Sequence, residues 1–360
     1  MSGTKELEAR VRAHLAEIER TGLRRVMRPP SGVDLSSNDY LGLASHPLIK
    51  ERMAEAVRQL GVGSTGSRLL RGDRECFEAV ETRFARFKGT ERALYFSSGF
   101  LANLAVLTTF PEQGDVVYSD ELNHASLIDG VRLSRATRQV YPHATVPAAQ
   151  GQFLVTESLF SMDGDRAPLG ELANVGANLI VDEAHAVGLY GARGSGLVEE
   201  TGIDPFLSIN TAGKALGVAG AFVCGPAWAI EYMVQRARTF IFSTAPPPAV
   251  AAALEASLDV IAAEPERRAR LRELARYLRA KLGMPESDSP ILPIMVGDND
   301  RAVRLAEVLQ HDGFDVRAIR PPTVPVGTSR LRVSLNVNLS EAILDRFVAC
   351  LERAKCAVSS

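Results

Sequence analysis

Cysteines are scarce in this chain, and long apolar runs are missing from it. Four of its 360 residues are cysteines, and they form neither a CxxC pair nor another spacing typical of metal ligands. We therefore expect reduced thiols, a cytoplasmic location and no metal site. The longest uncharged stretch, residues 215–230, contains three glycines and a proline. Because a membrane span needs roughly 20 apolar residues, the sequence predicts no association with a membrane.

The sequence also lacks an excess of either charge. The chain has 41 Lys and Arg residues against 43 Asp and Glu residues, a formal net charge of −2. Only residues 267–281 are locally basic, and Leu271, Leu274 and Leu278 recur there at helical spacing. These charges are typical of the solvated face of a helix, so we expect no nucleic-acid partner.

Short apolar runs alternate with helical stretches between residues 34 and 250, after a helix predicted over residues 4–20. Such alternation is typical of an α/β fold, a mostly parallel sheet flanked by helices on both faces. The predicted strands are 93–97, 115–118, 153–156, 179–182, 206–210 and 220–224.

The pattern changes after three prolines at residues 246–248, where a smaller α+β domain is predicted. Asp300 and Ser340 are candidate N-caps there, and Gly313 is a candidate residue for the end of a helix. The predicted helices are 249–282, 301–311 and 341–355, and the predicted strands are 291–296 and 330–336. The predicted domains are an N-terminal helix and linker (1–33), a large α/β domain (34–248) and a small C-terminal domain (249–360).

Asp182 and Lys214 carry the clearest chemical signal. Asp182 ends an apolar run, and a carboxylate at the carboxyl end of a buried strand points into the crevice where open α/β sheets bind ligands. Lys214 lies between glycines in an apolar stretch, where desolvation favours a nucleophilic amine over an ammonium. Pyridoxal phosphate needs a lysine to hold its aldehyde and a carboxylate to keep its pyridine nitrogen protonated. The pair therefore predicts a pyridoxal-phosphate enzyme.

Two segments are candidates for binding the phosphate of such a cofactor. The glycine-rich residues 61–67 fit neither a Walker A loop nor a Rossmann fingerprint, and alone they indicate a flexible loop. Gly99 and Phe100 lie between a predicted strand and the helix that follows, where free N–H groups and the helix dipole favour an anion. A plain helix cap remains an equal alternative at this point.

Several single residues are weaker candidates. His124 and His185 have the chemistry to contact a planar cofactor and its substrate, although a lone histidine is usually structural. Thr211 has a hydroxyl suited to a phosphate, and Arg320 and Arg332 have guanidinium groups suited to a carboxylate. Without further context, the arginines would be interpreted as surface residues in a turn.

Five segments in order along the chain resemble the α-oxoamine synthases, pyridoxal-phosphate enzymes that join an amino acid to an acyl thioester with loss of CO₂. They are SNDYLGL (37–43), NHAS (123–126), FSMDGD (160–165), DEAH (182–185) and GK (213–214). The resemblance covers residues 34–350 and implies the fold of the fold type I pyridoxal-phosphate transferases with a smaller C-terminal domain.

The resemblance also implies roles for individual residues. Lys214 would hold the cofactor and act as general base, Asp182 would pair with the pyridine nitrogen, and His124 would stack on the ring and contact the substrate. The remaining cofactor contacts would come from Gly99, Phe100, Ser161, His185 and Thr211, with Ser243 and Thr244 reaching the phosphate from the partner subunit of a homodimer. The remaining substrate contacts would come from Arg24, Asn38, Arg320, Thr323 and Arg332.

This chain departs from the family pattern without losing a catalytic group. The segment before residue 36 is shorter than usual, which leaves open whether Arg24 or Arg25 faces the substrate. Residues 141–153 and 169–178 are also abbreviated, and Phe77 stands where many members have histidine.

Residues 296–299 and 319–332 resemble most the biotin-pathway member, which joins L-alanine to a pimeloyl thioester of coenzyme A or of an acyl carrier protein. Three alternatives remain: glycine with acetyl-CoA, serine with a long-chain acyl donor, and a non-catalytic scaffold of the same fold. The presence of Lys214 argues against a scaffold.

Overall fold

The structure is a computed structural model that describes residues 2–148 and 152–359. Its backbone divides into two compact units, Asn38–Leu271 and the combination of Met1–Ser37 with Arg272–Ser360. The predicted domain boundaries lie instead between residues 33 and 34 and between residues 248 and 249. The division into domains therefore stays a prediction. Residues 248–263 belong to the larger unit because their helix packs against the helix over residues 47–60.

The strands and helices of the described residues are numbered in chain order. The strands are β1 (Val33–Asp34), β2 (Arg92–Phe96), β3 (Val116–Asp120), β4 (Thr137–Tyr141), β5 (Phe153–Glu157), β6 (Asn178–Asp182), β7 (Leu207–Thr211), β8 (Ala221–Gly225), β9 (Ile291–Gly297), β10 (Phe314–Asp315), β11 (Arg317–Ile319) and β12 (Ser329–Ser334). The helices are α1 (Ser2–Arg20), α2 (Pro47–Leu60), α3 (Glu75–Lys88), α4 (Gly99–Thr109), α5 (Ala125–Ser134), α6 (Leu169–Leu172), α7 (Leu197–Thr201), α8 (Ala227–Arg236), α9 (Arg238–Ile241), α10 (Pro248–Ala263), α11 (Glu266–Lys281), α12 (Asn299–His311) and α13 (Glu341–Ser359).

A seven-stranded sheet organises the larger unit. Its strand order is β2-β8-β7-β6-β5-β3-β4, and β8 alone runs antiparallel to its neighbours. Every residue of β5 is buried, as are four of the five in β6 and in β7. Nearly continuous burial is typical of strands covered on both faces. The predicted mostly parallel sheet and its six strands are confirmed to within two residues at each end.

Helices cover this sheet through apolar contacts. On one face, Val106 of α4 and Leu127 of α5 belong to the same buried cluster as Ile180 and Ile209 of the central strands. Elsewhere Phe84 of α3 stacks on Phe222 of β8, with ring centroids 3.9 Å apart. The central strands therefore have little freedom to shift, and the residues at their carboxyl ends are held in fixed positions.

The smaller unit is built on an antiparallel sheet with the order β11-β12-β9, and β1 pairs in parallel with β10. α12 and α13 pack against each other, and Phe347 of α13 meets Phe314 edge to face. These strands and helices confirm the predicted α+β character of the C-terminal region.

Some local predictions need correction. Asp298, not Asp300, is the N-cap of α12, because its side chain accepts a hydrogen bond from Arg301 N at 2.8 Å while Asp300 already lies in the first turn. Ser340 does cap α13 through the N–H of Ile343, and Gly313 has the positive φ expected after α12.

Two secondary-structure predictions also differ. The helix predicted over 249–282 is divided into α10 and α11 at Glu264 and Pro265, since proline has no N–H for a helical hydrogen bond. The edge strand β4 was not predicted because four of its five residues are exposed.

Within residues 2–148 and 152–359, no helix combines the length and apolar character required to cross a membrane. The same residues contain no group of three or more His, Cys, Asp or Glu side chains arranged to hold a metal ion.

Candidate active site

The carboxyl ends of β5, β6 and β7 lie side by side in the sheet and present polar groups at one edge. Asp182 is the last residue of β6 and is buried. Its two carboxylate oxygens accept hydrogen bonds from Asn103 Nδ2 at 2.7 Å and from Ala184 N at 2.8 Å. Both donors are neutral, so the carboxylate is held in a fixed orientation without a cation among these partners. Such a group is suited to binding a protonated ring nitrogen.

Asn103 links Asp182 to His124. Its amide nitrogen also donates to Ser126 Oγ at 2.9 Å, and Ser126 Oγ lies 2.7 Å from His124 Nδ1. His124 is the N-cap of α5, and its ring meets Phe100 edge-on at 6.5 Å. Desolvation by the surrounding protein lowers the pKa of His124, although the ring remains partly exposed and the Asp182 charge opposes the shift. The neutral form of the His124 imidazole is therefore favoured.

Lys214 follows β7 and ends a chain of hydrogen-bonding groups. Its Nζ lies 2.6 Å from His185 Nε2, and His185 Nδ1 lies 2.7 Å from the Tyr40 hydroxyl. That hydroxyl in turn donates to Asn38 Oδ1 at 3.1 Å. The structure thus brings together three predicted residues, Asn38, His185 and Lys214. It adds Tyr40, which is completely buried.

The N-terminus of α4 lies next to the end of β7, where an anion site is predicted. Ser98 caps this helix by accepting from Leu101 N at 3.3 Å, so Gly99 and Phe100 present the first N–H groups of the helix, which have no intrahelical acceptor. A β-carbon on Gly99 would overlap the hydroxyl oxygen of Thr211. Gly99, Phe100 and Thr211 therefore lie close together. Their backbone N–H groups and the Thr211 hydroxyl are donors suited to a phosphate.

The remaining predicted cofactor residues lie on loops of the larger unit. Ser161 lies half-buried in the turn after β5. Thr244 is exposed and pairs as an isolated β-bridge with Ser67 of the glycine-rich segment, next to the half-buried Ser243. This pairing ties the glycine-rich segment to the segment that was predicted to reach a partner subunit.

Glu157 was not predicted to be part of the site. It ends β5, pairs in register with Asp182 of β6, and is almost completely buried. Burial and the nearby Asp182 charge raise the pKa of Glu157 to about 8, although the Lys214 ammonium and the backbone N–H groups of His124 and Ser161 favour its charged form. When two carboxyl groups are neighbours, the charge on one disfavours ionisation of the other. In this pair, the protonated form of Glu157 is favoured.

A second polar cluster surrounds Glu183, the residue after Asp182. Lys88 at the end of α3 forms a short ion pair with Glu183 and also donates to Ser195 O, and both charged side chains are buried. The other Glu183 oxygen accepts from Val198 N at 2.9 Å. A β-carbon on Gly196 would overlap this carboxylate. The cluster therefore fixes the turn that carries His185 on one side and the 188–198 loop on the other.

The predicted substrate arginines, apart from Arg332, meet at one cavity of the smaller unit. Arg24, Arg320 and Thr323 line this cavity, which has a volume of about 320 Å³. Arg320 donates to the carbonyl oxygens of Gly22 and Arg24, and burial together with the neighbouring Arg25 charge lowers its pKa.

Arg24 and Arg25 both line the cavity, so the structure leaves either available to an anion. Arg24 forms an exposed ion pair with Glu19 at 2.8 Å. Arg332 instead lies buried on β12, where it donates to Ser334 Oγ at 2.8 Å.

The residues that the prediction missed share a physical reason. Tyr40, Asn103 and Lys88 act through contacts with residues distant in the sequence, and no local pattern shows such contacts. Glu157 did carry a signal, because it ends a buried strand just as Asp182 does.

Comparison with known proteins gives consistent matches over most of the chain. The family model for aminotransferase class I and II matches residues 30–351. The 8-amino-7-oxononanoate synthase of Anaeromyxobacter dehalogenans is 45% identical over 373 residues, which cover 94% of this chain and 94% of that protein.

Two solved structures share the fold. The 8-amino-7-oxononanoate synthase of Francisella tularensis is 29% identical with a TM-score of 0.81, over 92% of this chain and 99% of that one. A serine palmitoyltransferase variant from S. paucimobilis, with PLP and myriocin bound, is 29% identical with a TM-score of 0.89, over 97% of both chains. The chain therefore belongs to the aminotransferase class I and II family and, within it, to the α-oxoamine synthases.

Proposed function

We propose that this protein is a pyridoxal-phosphate-dependent C-acyltransferase that joins L-alanine to a pimeloyl thioester with loss of CO₂. The product would be 8-amino-7-oxononanoate, an intermediate of biotin biosynthesis. One observation carries the proposal: Asp182 and the Lys214–His185 pair follow neighbouring strands of one sheet. Relatives at 45% identity that carry the name of this activity support the choice of substrates.

The residues at this edge of the sheet fit the cofactor. Pyridoxal phosphate supplies an aldehyde that captures amines and a protonated pyridine ring that accepts the electron pair released at the neighbouring carbon. Asp182 would keep the pyridine nitrogen protonated, since a fixed carboxylate favours the charged ring. The N–H groups of Gly99 and Phe100 and the Thr211 hydroxyl would bind the phosphate, and a β-carbon at residue 99 would overlap that hydroxyl.

Lys214 has two roles in the reaction that we propose. Its Nζ would hold the cofactor, and the neutral amine, once released, would remove the α-carbon proton of the amino acid as general base. His185 would contact the ring oxygen of the cofactor, Ser161 would help to hold the cofactor or the adjacent histidine, and His124 would stack on the ring. The neutral form of His124, which desolvation favours, allows its nitrogen to hydrogen-bond the substrate.

The acyl donor would be recognised through positive charge. The cavity lined by Arg24, Arg320 and Thr323 presents guanidinium groups that suit a carboxylate or a phosphate of the donor. Asn38 and Arg332 remain predicted substrate contacts. We propose that either coenzyme A or an acyl carrier protein delivers the acyl group. A cytoplasmic location also stays a prediction.

We propose a homodimer in which Ser243 and Thr244 reach the phosphate of the partner's cofactor. The exposure of Thr244 and its pairing with the glycine-rich segment support this arrangement. If residues of both subunits form each active site, activity should be lost when the protein is diluted below the dissociation constant of the dimer.

A second candidate joins serine to a long-chain acyl donor. The TM-score of 0.89 with a serine palmitoyltransferase favours it, whereas sequence identity is higher to the first class of relatives. Fold similarity alone does not determine the substrate.

A competition assay distinguishes these functions. The purified protein is supplied with pimeloyl, acetyl and palmitoyl thioesters in combination with alanine, glycine and serine, and CO₂ release is measured. We expect turnover with alanine and the pimeloyl donor to exceed the other pairs by at least about a hundredfold. A preference for serine with palmitoyl thioester would establish the second candidate, and absence of turnover with all nine pairs would refute both.

A further inference from the structure

His143 connects two segments of the larger unit that are distant in the sequence. It follows β4, and its Nδ1 lies 3.0 Å from Oδ1 of Asp120 at the end of β3. Its Nε2 lies 2.7 Å from Oδ2 of Asp165, the last residue of the segment FSMDGD. The side chain of His143 is 20% exposed, and that of Asp120 is almost completely buried. The imidazole therefore bridges a strand end and the segment that contains Ser161.

Residues 160–165 form a closed turn, so a contact with its last residue restrains the whole turn. The N–H of Phe160 donates to the carbonyl of Asp165 at 2.9 Å, and the N–H of Gly164 donates to the carbonyl of Phe160 at 2.9 Å. The buried ring of Phe160 meets the imidazole of His143 edge to face, with ring centroids 4.4 Å apart. Ser161 lies inside this turn, so its position is coupled to the imidazole.

The two contacts of the imidazole constrain its protonation. Oxygens of ionised carboxylates only accept hydrogen bonds, so both ring nitrogens must donate, and only the protonated imidazole has two N–H groups. Asp120 also accepts the N–H groups of Leu122 and Ala144, both at 2.9 Å, so its two oxygens already act as acceptors. Without the proton, the contact with Asp165 should break, because that side chain is 43% exposed and water can replace the donor. The bridge is complete only when His143 is protonated.

The charges around His143 favour this protonated form. Burial lowers the pKa of His143, but its hydrogen bonds with Asp120 and Asp165 outweigh burial, and the pKa is raised above its ordinary value of 6.5. Glu121 accepts the backbone N–H of His143 at 2.8 Å and adds negative charge, whereas burial raises the pKa of the neighbouring Tyr141, whose phenol stays neutral. The bridge therefore contributes fully to stability below pH 6.5, and this contribution is lost as the pH rises through the higher pKa of the folded chain.

Glu157 faces the same turn from the end of β5 and titrates in an overlapping pH range. Burial and the Asp182 charge raise its pKa to about 8, and the backbone N–H groups of His124 and Ser161 hydrogen-bond its carboxyl group. Ionisation of Glu157 would strengthen the hydrogen bond with Ser161, because a charged acceptor binds a donor more strongly. This effect opposes release of the turn and therefore cannot imitate deprotonation of His143.

We propose that protonated His143 holds residues 160–165 against the end of β3 and thereby positions Ser161 for the cofactor, and that loss of its proton releases the turn. His143 is thus a positioning residue that makes retention of the cofactor sensitive to pH. The consequence for the cofactor rests on the proposed role of Ser161, whereas the bridge itself does not. The proposal also gives a role to the abbreviated segment 141–153, to which His143 belongs.

The protonation of His143 is measured by long-range ¹H–¹⁵N NMR of the full chain labelled at histidine, in a pH titration. The chain has six histidines, and the signal that is missing in His143→Phe belongs to residue 143. We expect the native midpoint to lie above pH 6.5, with both ring nitrogens protonated below it. In Asp165→Asn the midpoint should fall below the native one, because the amide is neutral and can donate to an unprotonated Nε2.

Release of the turn is measured by hydrogen exchange and mass spectrometry on a peptide that contains residues 158–166, with rates corrected for the intrinsic effect of pH. In the native chain, protection of this peptide should fall about tenfold between about pH 6 and about pH 9, as expected for losing one hydrogen bond to a charged group. Asp165→Asn should keep its protection across this range, because the amide can accept from the charged ring and donate to the neutral one. Asp165→Ala should have the low protection at both ends of the range.

His46→Phe is a matched control for His143→Phe. It removes another partly buried imidazole of the larger unit, whose Nε2 lies 3.3 Å from Glu264. The dissociation constant of pyridoxal phosphate for the cofactor-free chain should rise about fivefold in His143→Phe, as expected for losing one hydrogen bond, and stay at the native value in His46→Phe. His46→Phe should also leave the exchange of the 158–166 peptide unchanged.

A native midpoint at or below pH 6.5, or native protection of the turn that does not depend on pH, would overturn the proposal. An unchanged dissociation constant in a variant whose turn exchanges faster would overturn the positioning of Ser161. If His143→Phe does not fold, the opposite responses of Asp165→Asn and Asp165→Ala still decide, since residue 165 is partly exposed. None of these measurements uses an amino acid or an acyl donor, so the bridge and the proposed acyl transfer can fail independently.

Discussion

Asp182 and Glu183 are adjacent in the sequence and both are buried, yet they belong to two differently built regions. Asp182 ends β6 and is held by the neutral donors Asn103 and Ala184. Glu183 lies on the opposite side of the strand end, where the Lys88 ammonium neutralises it. Successive side chains of an extended segment point to opposite faces, which explains how neighbours reach such different surroundings.

The difference shows how environment separates a chemical role from a structural one. A buried carboxylate that is oriented by neutral donors can still pair with a charged ligand. The charge of a carboxylate that is paired with a buried ammonium is already neutralised. The same contrast applies to the two lysines, because Lys214 meets a histidine and Lys88 meets a carboxylate.

Among the substitutions around Asp182, Lys214→Ala should reduce turnover most. In the proposed reaction, loss of the amine would remove both the cofactor attachment and the general base, so turnover should fall by more than about 10⁴-fold. Borohydride reduction followed by peptide mapping should find no cofactor on the chain, whereas Lys88→Met should still be labelled at residue 214. Near-native turnover in Lys214→Ala would contradict the assignment of both roles.

Asp182→Asn should have the next largest effect. If Asp182 pairs with the pyridine nitrogen as we propose, its replacement by an amide would favour loss of the nitrogen's proton. Removal of the α-proton should then slow by about a thousandfold while cofactor binding is partly retained. Exchange of the alanine α-hydrogen in D₂O, followed by NMR, measures this step alone. Exchange at the native rate would show that the charge of Asp182 is not needed.

Glu183→Gln tests the other side of the comparison. It leaves the Lys88 ammonium buried without its counter-charge, so the free energy of unfolding should fall by about 3 kcal/mol. The rate of α-hydrogen exchange per folded molecule should stay within a few-fold of the native rate. Urea denaturation measures the stability and the exchange assay measures the chemistry. A thousandfold loss of exchange at unchanged stability would show that the two regions do not differ in role.

Glu157→Gln is expected to change the pH dependence of stability. Because burial and the Asp182 charge raise the pKa of Glu157 from 4.5 to about 8, the folded chain keeps this proton where the unfolded chain has lost it. This contribution to stability is complete below pH 4.5 and is lost as the pH rises toward 8.

Glutamine cannot titrate, so the melting temperature of the native chain should fall relative to that of Glu157→Gln by a few degrees across this range. Thermal melts of both proteins in matched buffers provide the measurement. Parallel curves would mean that Glu157 ionises normally.

The parts of the molecule that could be predicted are those with local signals. The ends of β6 and β7 follow from apolar runs bounded by polar residues. The strands predicted to end at Asp182 and Asn210 therefore end at Asp182 and, one residue later than predicted, at Thr211. The predicted caps at Ser340 and Gly313 depend on residues a few positions away, and the structure confirms both.

The parts that could not be predicted depend on contacts between distant segments. Tyr40 and His185 are separated by 145 positions and Lys88 and Glu183 by 95, and neither pairing leaves a trace in the local pattern. β4 was missed because an exposed edge strand lacks alternating apolar residues. Asp298 was missed because the neighbouring Asp300 is an equally good cap by residue type.

The close approach of Gly99 to Thr211 has a consequence for anyone who wishes to evolve this enzyme toward another substrate. A β-carbon at position 99 would overlap the hydroxyl at position 211, so a larger residue at position 99 requires that hydroxyl to move or to be removed. Either change would disturb a hydrogen-bond donor that we propose for the phosphate. Mutant libraries should therefore hold both codons fixed and place their diversity in the arginine-lined cavity of the smaller unit.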